Sequence, residues 1–193
     1  GAASYEGIAK PDLILITDIH GDHLDTATLG ALDTRGVTMV VPQAVADKLP
    51  AQYQQQLVVL KNGGKSTQQG IAITAVPMYN LPESADAMHP KGRGNGYLLE
   101  MGGKRVYISG DTEGTPEMRS LKNIDVAFVS MNLPYTMDVD QAAEAVLAFK
   151  PKIIYPYHYR GKDGLSDVDS FKQQVNAQNK QIDVRLKDWY PQQ

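Results

Sequence analysis

The chain predicts an α/β fold in one domain spanning residues 1–193. Short β-branched runs recur from end to end, and stretches with helical spacing lie between them. No linker, repeat or low-complexity tract interrupts the series. The length permits a sizeable core, and 42% hydrophobic with 21% charged residues is ordinary for a globular domain.

Residues 12–17 read as a buried strand, and Asp25 caps a helix expected to reach Thr34. Residues 37–41 form a β-branched strand, after which Pro42 opens a helix over 43–49. Strands at 57–60 and 71–78 flank the turn signal Asn62-Gly63-Gly64. A long loop rich in Pro, Gly and charge covers 82–96. Residues 97–101 and 105–109 form a hairpin around Gly102-Gly103. A short helix at 115–121 and a strand at 125–130 follow. The helix at 139–149 carries Ala142, Ala143, Val146 and Leu147 on one face. A strand at 153–157, a helix at 167–176 and a strand at 182–186 complete the chain.

Composition excludes several classes. A net charge of −3 without a basic stretch gives no track for nucleic acid. No apolar run is long enough to span a bilayer. The absence of cysteine removes disulfides and thiolate ligands; it suits a cytoplasmic and a periplasmic or secreted location equally.

The chemistry concentrates in Asp18-Ile19-His20-Gly21-Asp22-His23, where four potential metal ligands follow the apolar run at 13–16. Gly21 eases the backbone turn that lets ligands two apart converge. Asp22 and His23 are adjacent and point apart in extended backbone, so they can serve one metal while Asp18 and His20 serve another. The chain has four histidines. The other two are His89, in the long loop, and His158, after the strand at 153–157. Asp111 follows the strand at 105–109 in Gly110-Asp111-Thr112. In isolation Asp111 suits a turn or cap, His89 a solvated loop and His158 a core position. Beside the six-residue motif, each becomes a candidate ligand.

As an ordered set these motifs resemble the metallo-β-lactamase superfamily, in particular its branch similar to ascorbate-6-phosphate lactonase and N-acyl-phosphatidylethanolamine phospholipase D. The family pattern is His-x-His-x-Asp-His, then a lone His, a Gly-Asp-Thr and a final His after a strand. The matching residues are Asp18, His20, Asp22 and His23, then His89, Gly110-Asp111-Thr112 and His158. Met78-Tyr79-Asn80, His89-Pro90-Lys91-Gly92, Asn95-Gly96-Tyr97 and Pro156-Tyr157-His158-Tyr159 agree as well. The resemblance implies an αββα sandwich with two divalent metal ions, usually Zn2+. Asp18, His20 and His89 would hold the first; Asp22, His23 and His158 would hold the second; Asp111 would bridge. A metal-bridging hydroxide would attack a small ester, lactone or phosphodiester, which makes Asp22 and Asp111 the carboxylates of the catalytic centre.

Two departures from the pattern carry expectations. Asp18 replaces the leading histidine, which lowers the charge of the centre and admits Mn2+ or Fe. A catalytically degenerate metal-binding protein and a diiron redox protein are the competing readings. Only residues 1–11 precede the first strand, so the usual N-terminal strands are expected to be missing and a homo-oligomer or processed precursor to result. Lys91, Arg93, Arg160 and Lys162 are candidates for binding an anionic small-molecule substrate, with solvated loops as the plain alternative. Tyr79, Tyr157 and Tyr159 are candidate donors to an oxyanion, although Tyr157 and Tyr159 also suit the core.

Overall fold

The computed structural model describes Tyr5 and residues 7–190. Three short strands, β1 (Leu13–Leu15), β2 (Thr38–Val41) and β3 (Leu57–Val59), pair in parallel in that order. Parallel neighbours need crossover segments. Helix α1 (Thr26–Ala31) makes the first, and α2 (Gln43–Ala46) with a 3-10 turn at Ala51–Gln56 makes the second. Asp25 caps α1 by accepting from the backbone of Ala27 and Thr28. The helix ends before the expected Thr34, because Leu32 is already extended and Arg35 folds back onto Asp33.

The second sheet contains β4 (Lys65–Gln68), β5 (Ile71–Met78), β6 (Gly94–Met101), β7 (Lys104–Ile108), β8 (Val126–Ser130), β9 (Ile153–Tyr157) and, beyond the small hairpin of β10 (Arg160–Gly161) and β11 (Gly164–Leu165), β12 (Asp183–Val184). Its order is β12-β9-β8-β7-β6-β5-β4. The pairs from β4 to β7 are antiparallel and those from β7 to β12 are parallel. Gly102 and Gly103 both have positive φ in the tight turn between Met101 and Lys104, as a two-residue hairpin requires. Helices α3 (Pro116–Arg119), α4 (Val139–Phe149) and α5 (Val168–Gln178) connect the parallel strands. The last strand is shorter than expected, and β4 was not foreseen: Lys-Ser-Thr-Gln is polar and lies at the sheet edge.

Three buried clusters define four layers. Leu29, Val45, Leu49 and Tyr53 pack on Ile16, Met39 and Val41, covering one face of the small sheet. Val40 and Leu60 meet Ile73, Ala75, Tyr97 and Leu99 between the sheets. Ala142, Ala143, Val146, Phe149 and Phe171 cover the far face of the large sheet against Tyr107, Ala127 and Ile154. The result is an αββα sandwich. Tyr97 ties the sheets together: its buried hydroxyl donates to the carbonyls of Ile16 and Val40 at 2.8 and 3.1 Å. No helix among the described residues is long and apolar enough to cross a membrane.

Candidate metal centre

Strand direction assembles the site. Strands β5, β7, β8 and β9 run the same way, since β6 is antiparallel to both β5 and β7. Their C-terminal ends therefore share one sheet edge, where α/β proteins commonly bind ligands. Asn80 follows β5, Asp111 follows β7, Asn132 follows β8 and His158 follows β9. The small sheet contributes residues 18–23 after β1, and the backbone N–H of Asn95 on β6 donates to the Thr17 carbonyl at 2.9 Å. Two tight turns aim the ligands. Gly110 has φ +63, and a Cβ there would meet Met78 Sδ at 2.6 Å. His158 itself sits at φ +48, a left-handed conformation that few non-glycine residues adopt. That turn ends the strand alternation at Tyr157 and sends the imidazole toward the centre.

Two groups of potential ligand atoms result, each within a 4.8 Å span. One contains Asp18, His20 and His89, the other Asp22, His23, Asp111 and His158. Asp111 lies between them: its Oδ2 is 3.3 Å from His89 Nε2 and 3.4 Å from His23 Nε2, and its Oδ1 is 3.3 Å from His158 Nε2. Asp22 Oδ2 is 3.2 Å from His158 Nε2, and His20 Nδ1 is 2.9 Å from Asp18 Oδ2.

The rear nitrogens of two histidines are held by neighbours. Thr17 Oγ1 lies 2.6 Å from His23 Nδ1, and Asn80 Oδ1 lies 3.2 Å from His89 Nδ1 while also accepting the His89 backbone N–H. A ring proton on each Nδ1 leaves Nε2 as a lone pair facing the centre, the arrangement a metal ligand needs. His23 Nε2, His89 Nε2 and Asp111 Oδ1 are buried without an aligned hydrogen bond. Orphaned buried polar atoms are costly. Three of them converging here, in a nitrogen and carboxylate donor set without sulfur, fit divalent metal ions.

The carboxylates and imidazoles of the cluster also shift one another's titration. Burial alone would raise the Asp111 carboxyl, but contacts from His158, His23 and His89 hold it far below the usual carboxylate range. Burial opposes charge on His158 and His23 too. Asp111 and Asp22 outweigh it, pushing His158 up to about 9 and His23 upward. Contact with His158 lowers the Asp22 carboxyl, and burial lowers His20.

A cavity of about 280 Å³ opens over the centre, lined by His20, Asp22, Met88, His89, Asp111, Asn132, Tyr135, His158 and Arg160. Of the sequence candidates for substrate contact, Arg160 lines it. Tyr79, Lys91, Arg93 and Tyr159 do not. The Tyr79 hydroxyl donates to Glu117, Lys91 pairs with Glu83 and Glu117, Arg93 forks onto Asp18, and the Tyr159 hydroxyl donates to the Lys187 carbonyl. Tyr157 is half-buried and its hydroxyl accepts the Gly110 N–H. Asn132 and Met88 were not singled out from the sequence, where nothing but position relative to strand ends would have marked them, and Tyr135 stood out only within Tyr135-Thr136-Met137-Asp138, a run that also resembles the family pattern.

An αββα sandwich with paired His and Asp clusters at one sheet edge defines the metallo-β-lactamase type of metal-dependent hydrolase. The chain belongs to that superfamily: the family model for the beta-lactamase superfamily domain matches residues 1–159. Among curated relatives, it is 30% identical over 189 residues to a UPF0173 metal-dependent hydrolase of Pyrococcus abyssi, covering 92% of this chain and 82% of that one. A UPF0173 metal-dependent hydrolase of Thermococcus onnurineus is 32% identical over 179 residues, covering 90% and 79%. A crystal structure from Parabacteroides distasonis, provisionally assigned as a metal-dependent hydrolase, superposes with TM-score 0.85 at 42% identity over 96% of this chain and 80% of that one. The metallo hydrolase Igni18 of Ignicoccus hospitalis superposes with TM-score 0.75 at 28% identity, over 92% and 76%.

Proposed function

We propose that the chain hydrolyses a small ester, lactone or phosphodiester bearing an anionic group, at a centre for two divalent metal ions, with Zn2+ as the first choice. Asp18, His20 and His89 would hold one ion, Asp22, His23 and His158 the other, with Asp111 between them. The carrying observation is the convergence of orphaned, buried ligand atoms beneath an open cavity. Bound metal supplies a water that ionises near neutral pH and an electrophile for the scissile group.

The chain's own groups supply the rest. Asp22 Oδ2 faces His158, which leaves Oδ1 to accept a proton at the cavity wall. Asn132 Nδ2 lies 3.4 Å from His158 Nε2 and lines the cavity, placed to donate to oxygen of the scissile group. Arg160 stacks on the Tyr190 ring at 4.2 Å and belongs to none of the described ion pairs. Its guanidinium is thus held at the cavity with donors available for a carboxylate or phosphate. Met88 and Tyr135 add an apolar and an aromatic side chain to the lining.

The test is turnover of nitrophenyl esters, simple lactones and bis-nitrophenyl phosphate by protein reconstituted with Zn2+ or Mn2+. Hydrolysis of at least one class is expected, abolished by chelator and by Asp111→Asn. Arg160→Ala should raise KM for anionic substrates more than for neutral ones. Equal turnover with and without chelator, or none in any class, would sink the proposal.

A further inference from the structure

Asp18 is fully buried, and its carboxylate accepts two hydrogen bonds from one guanidinium. Arg93 Nε donates to Oδ1 at 3.1 Å and Nη2 to Oδ2 at 3.0 Å, across 75 residues of sequence. Nη2 also donates to the Met88 carbonyl at 2.6 Å, in the loop that carries His89. Arg93 immediately precedes β6, whose Asn95 is bonded to the Thr17 carbonyl beside Asp18. The fork is thus anchored at both ends. His20 Nδ1 approaches the same Oδ2 at 2.9 Å, so three of the carboxylate's acceptor positions face nitrogens.

A buried carboxylate without a cation is strongly destabilising. An aspartate in place of histidine also removes one unit of positive charge from the centre. Arg93 answers both problems at once, since a guanidinium matches a carboxylate bidentately and never loses its charge near neutral pH.

We infer that Arg93 is a positioning residue which, with Asp18, replaces the leading histidine of the metal centre as a single unit. Arg93 fixes the Asp18 carboxylate with Oδ2 toward His20 and His89, and returns the missing positive charge. The inference rests on the two-ion reading above. It makes the ion at Asp18, His20 and His89 the looser of the two and assigns its affinity to the pair, not to Asp18 alone.

The experiment is a double-mutant cycle of parent, Asp18→His, Arg93→Met and the double variant. Zn2+ bound per chain after dialysis and the affinity of each equivalent in a chelator competition are measured, with thermal melting of the metal-free proteins beside them. Each single variant should bind the looser equivalent about 10- to 100-fold more weakly, the usual effect of losing a residue that orients a ligand. The double variant should recover most of that loss, and Arg93→Lys, which keeps charge but not the fork, should fall between. If a single variant does not fold, the comparison of Arg93→Lys with parent decides: unchanged affinity would overturn the inference. Two equivalents in the parent with additive losses would overturn the role of Arg93 and leave the two-ion centre standing. One equivalent in the parent that becomes two in the double variant would overturn both the two-ion reading of this chain and the inference, since the pair would then close a site that histidine opens. One equivalent in all four proteins would overturn both.

Discussion

Asn80 shows how much a single uncharged residue contributes to this centre. Its Oδ1 accepts the His89 backbone N–H at 2.8 Å and faces His89 Nδ1, while its Nδ2 donates to the Tyr135 carbonyl at 2.9 Å and to Glu113 at 3.2 Å. One side chain therefore fixes the tautomer of His89, the His89 backbone and the loop that carries Tyr135. Asn80→Ala is expected to weaken metal at the His89 side by about 10- to 100-fold. Binding at the Asp22, His23 and His158 side should stay near parent. With two ions bound as proposed, chelator competition would resolve the two equivalents, and equal weakening of both would contradict the assignment of Asn80 to His89. The seven candidate ligands were legible in the sequence because His and Asp in an ordered pattern after strands carry chemistry. Asn80 stood out only within the family-like run Met78-Tyr79-Asn80, and its role was not legible, because asparagine is common in turns for local reasons. Arg93 was legible as a cation near the site, but its pairing with Asp18 depends on a contact across 75 residues that only the fold creates.

At the scale of elements, local signals served well where the periodicity was strong. Strands Ile71–Met78 and Ile153–Tyr157 and helix Val139–Phe149 have the expected limits, since each combines a clear apolar pattern with defined stops. The polar strand β4 escaped because its pairing with β5, not its own residues, holds it in place. Helix α4 begins with a reciprocal cap: Asp138 accepts the Gln141 N–H at 2.7 Å, and the Gln141 side chain accepts the Asp138 N–H at 3.0 Å. Ala142, Ala143, Ala145, Val146 and Phe149 then bury one face against the large sheet. Packing of that face supplies most of the helix's stability, so loss of the cap should cost only about 1 kcal/mol. Asp138→Ala is expected to lower the urea midpoint accordingly without changing the slope. A loss several times larger would mean that Asp138 also holds the Tyr135 loop in place.

For the whole molecule, the metal centre lies where two sheets meet. Residues 18–23 belong to the end of the small parallel sheet, whereas His89, Asp111 and His158 extend from the large one. Beyond the apolar layer around Val40, Ile73 and Tyr97, the junction is crossed beside the candidate ligands by the Arg93–Asp18 fork and the bond from the Asn95 N–H to the Thr17 carbonyl. Metal ions held by both groups would act as cross-links between the sheets. Without them, the buried orphan atoms of His23, His89 and Asp111 oppose closure of the same junction. Metal that binds only the folded state stabilises it in proportion to the logarithm of its excess over Kd, about 4 kcal/mol at a thousandfold excess. Chelation should therefore lower the melting temperature. Amide exchange should rise first in β1 and in the loops bearing His89 and His158, and much less in α4 and α5, which pack on the outer face. Asp111→Asn, lacking the carboxylate between the two groups, should lose most of its response to chelator. A uniform rise in exchange across all four layers would mean instead that the sandwich unfolds as one unit, and that the metal ions stabilise the whole domain without specially joining its sheets.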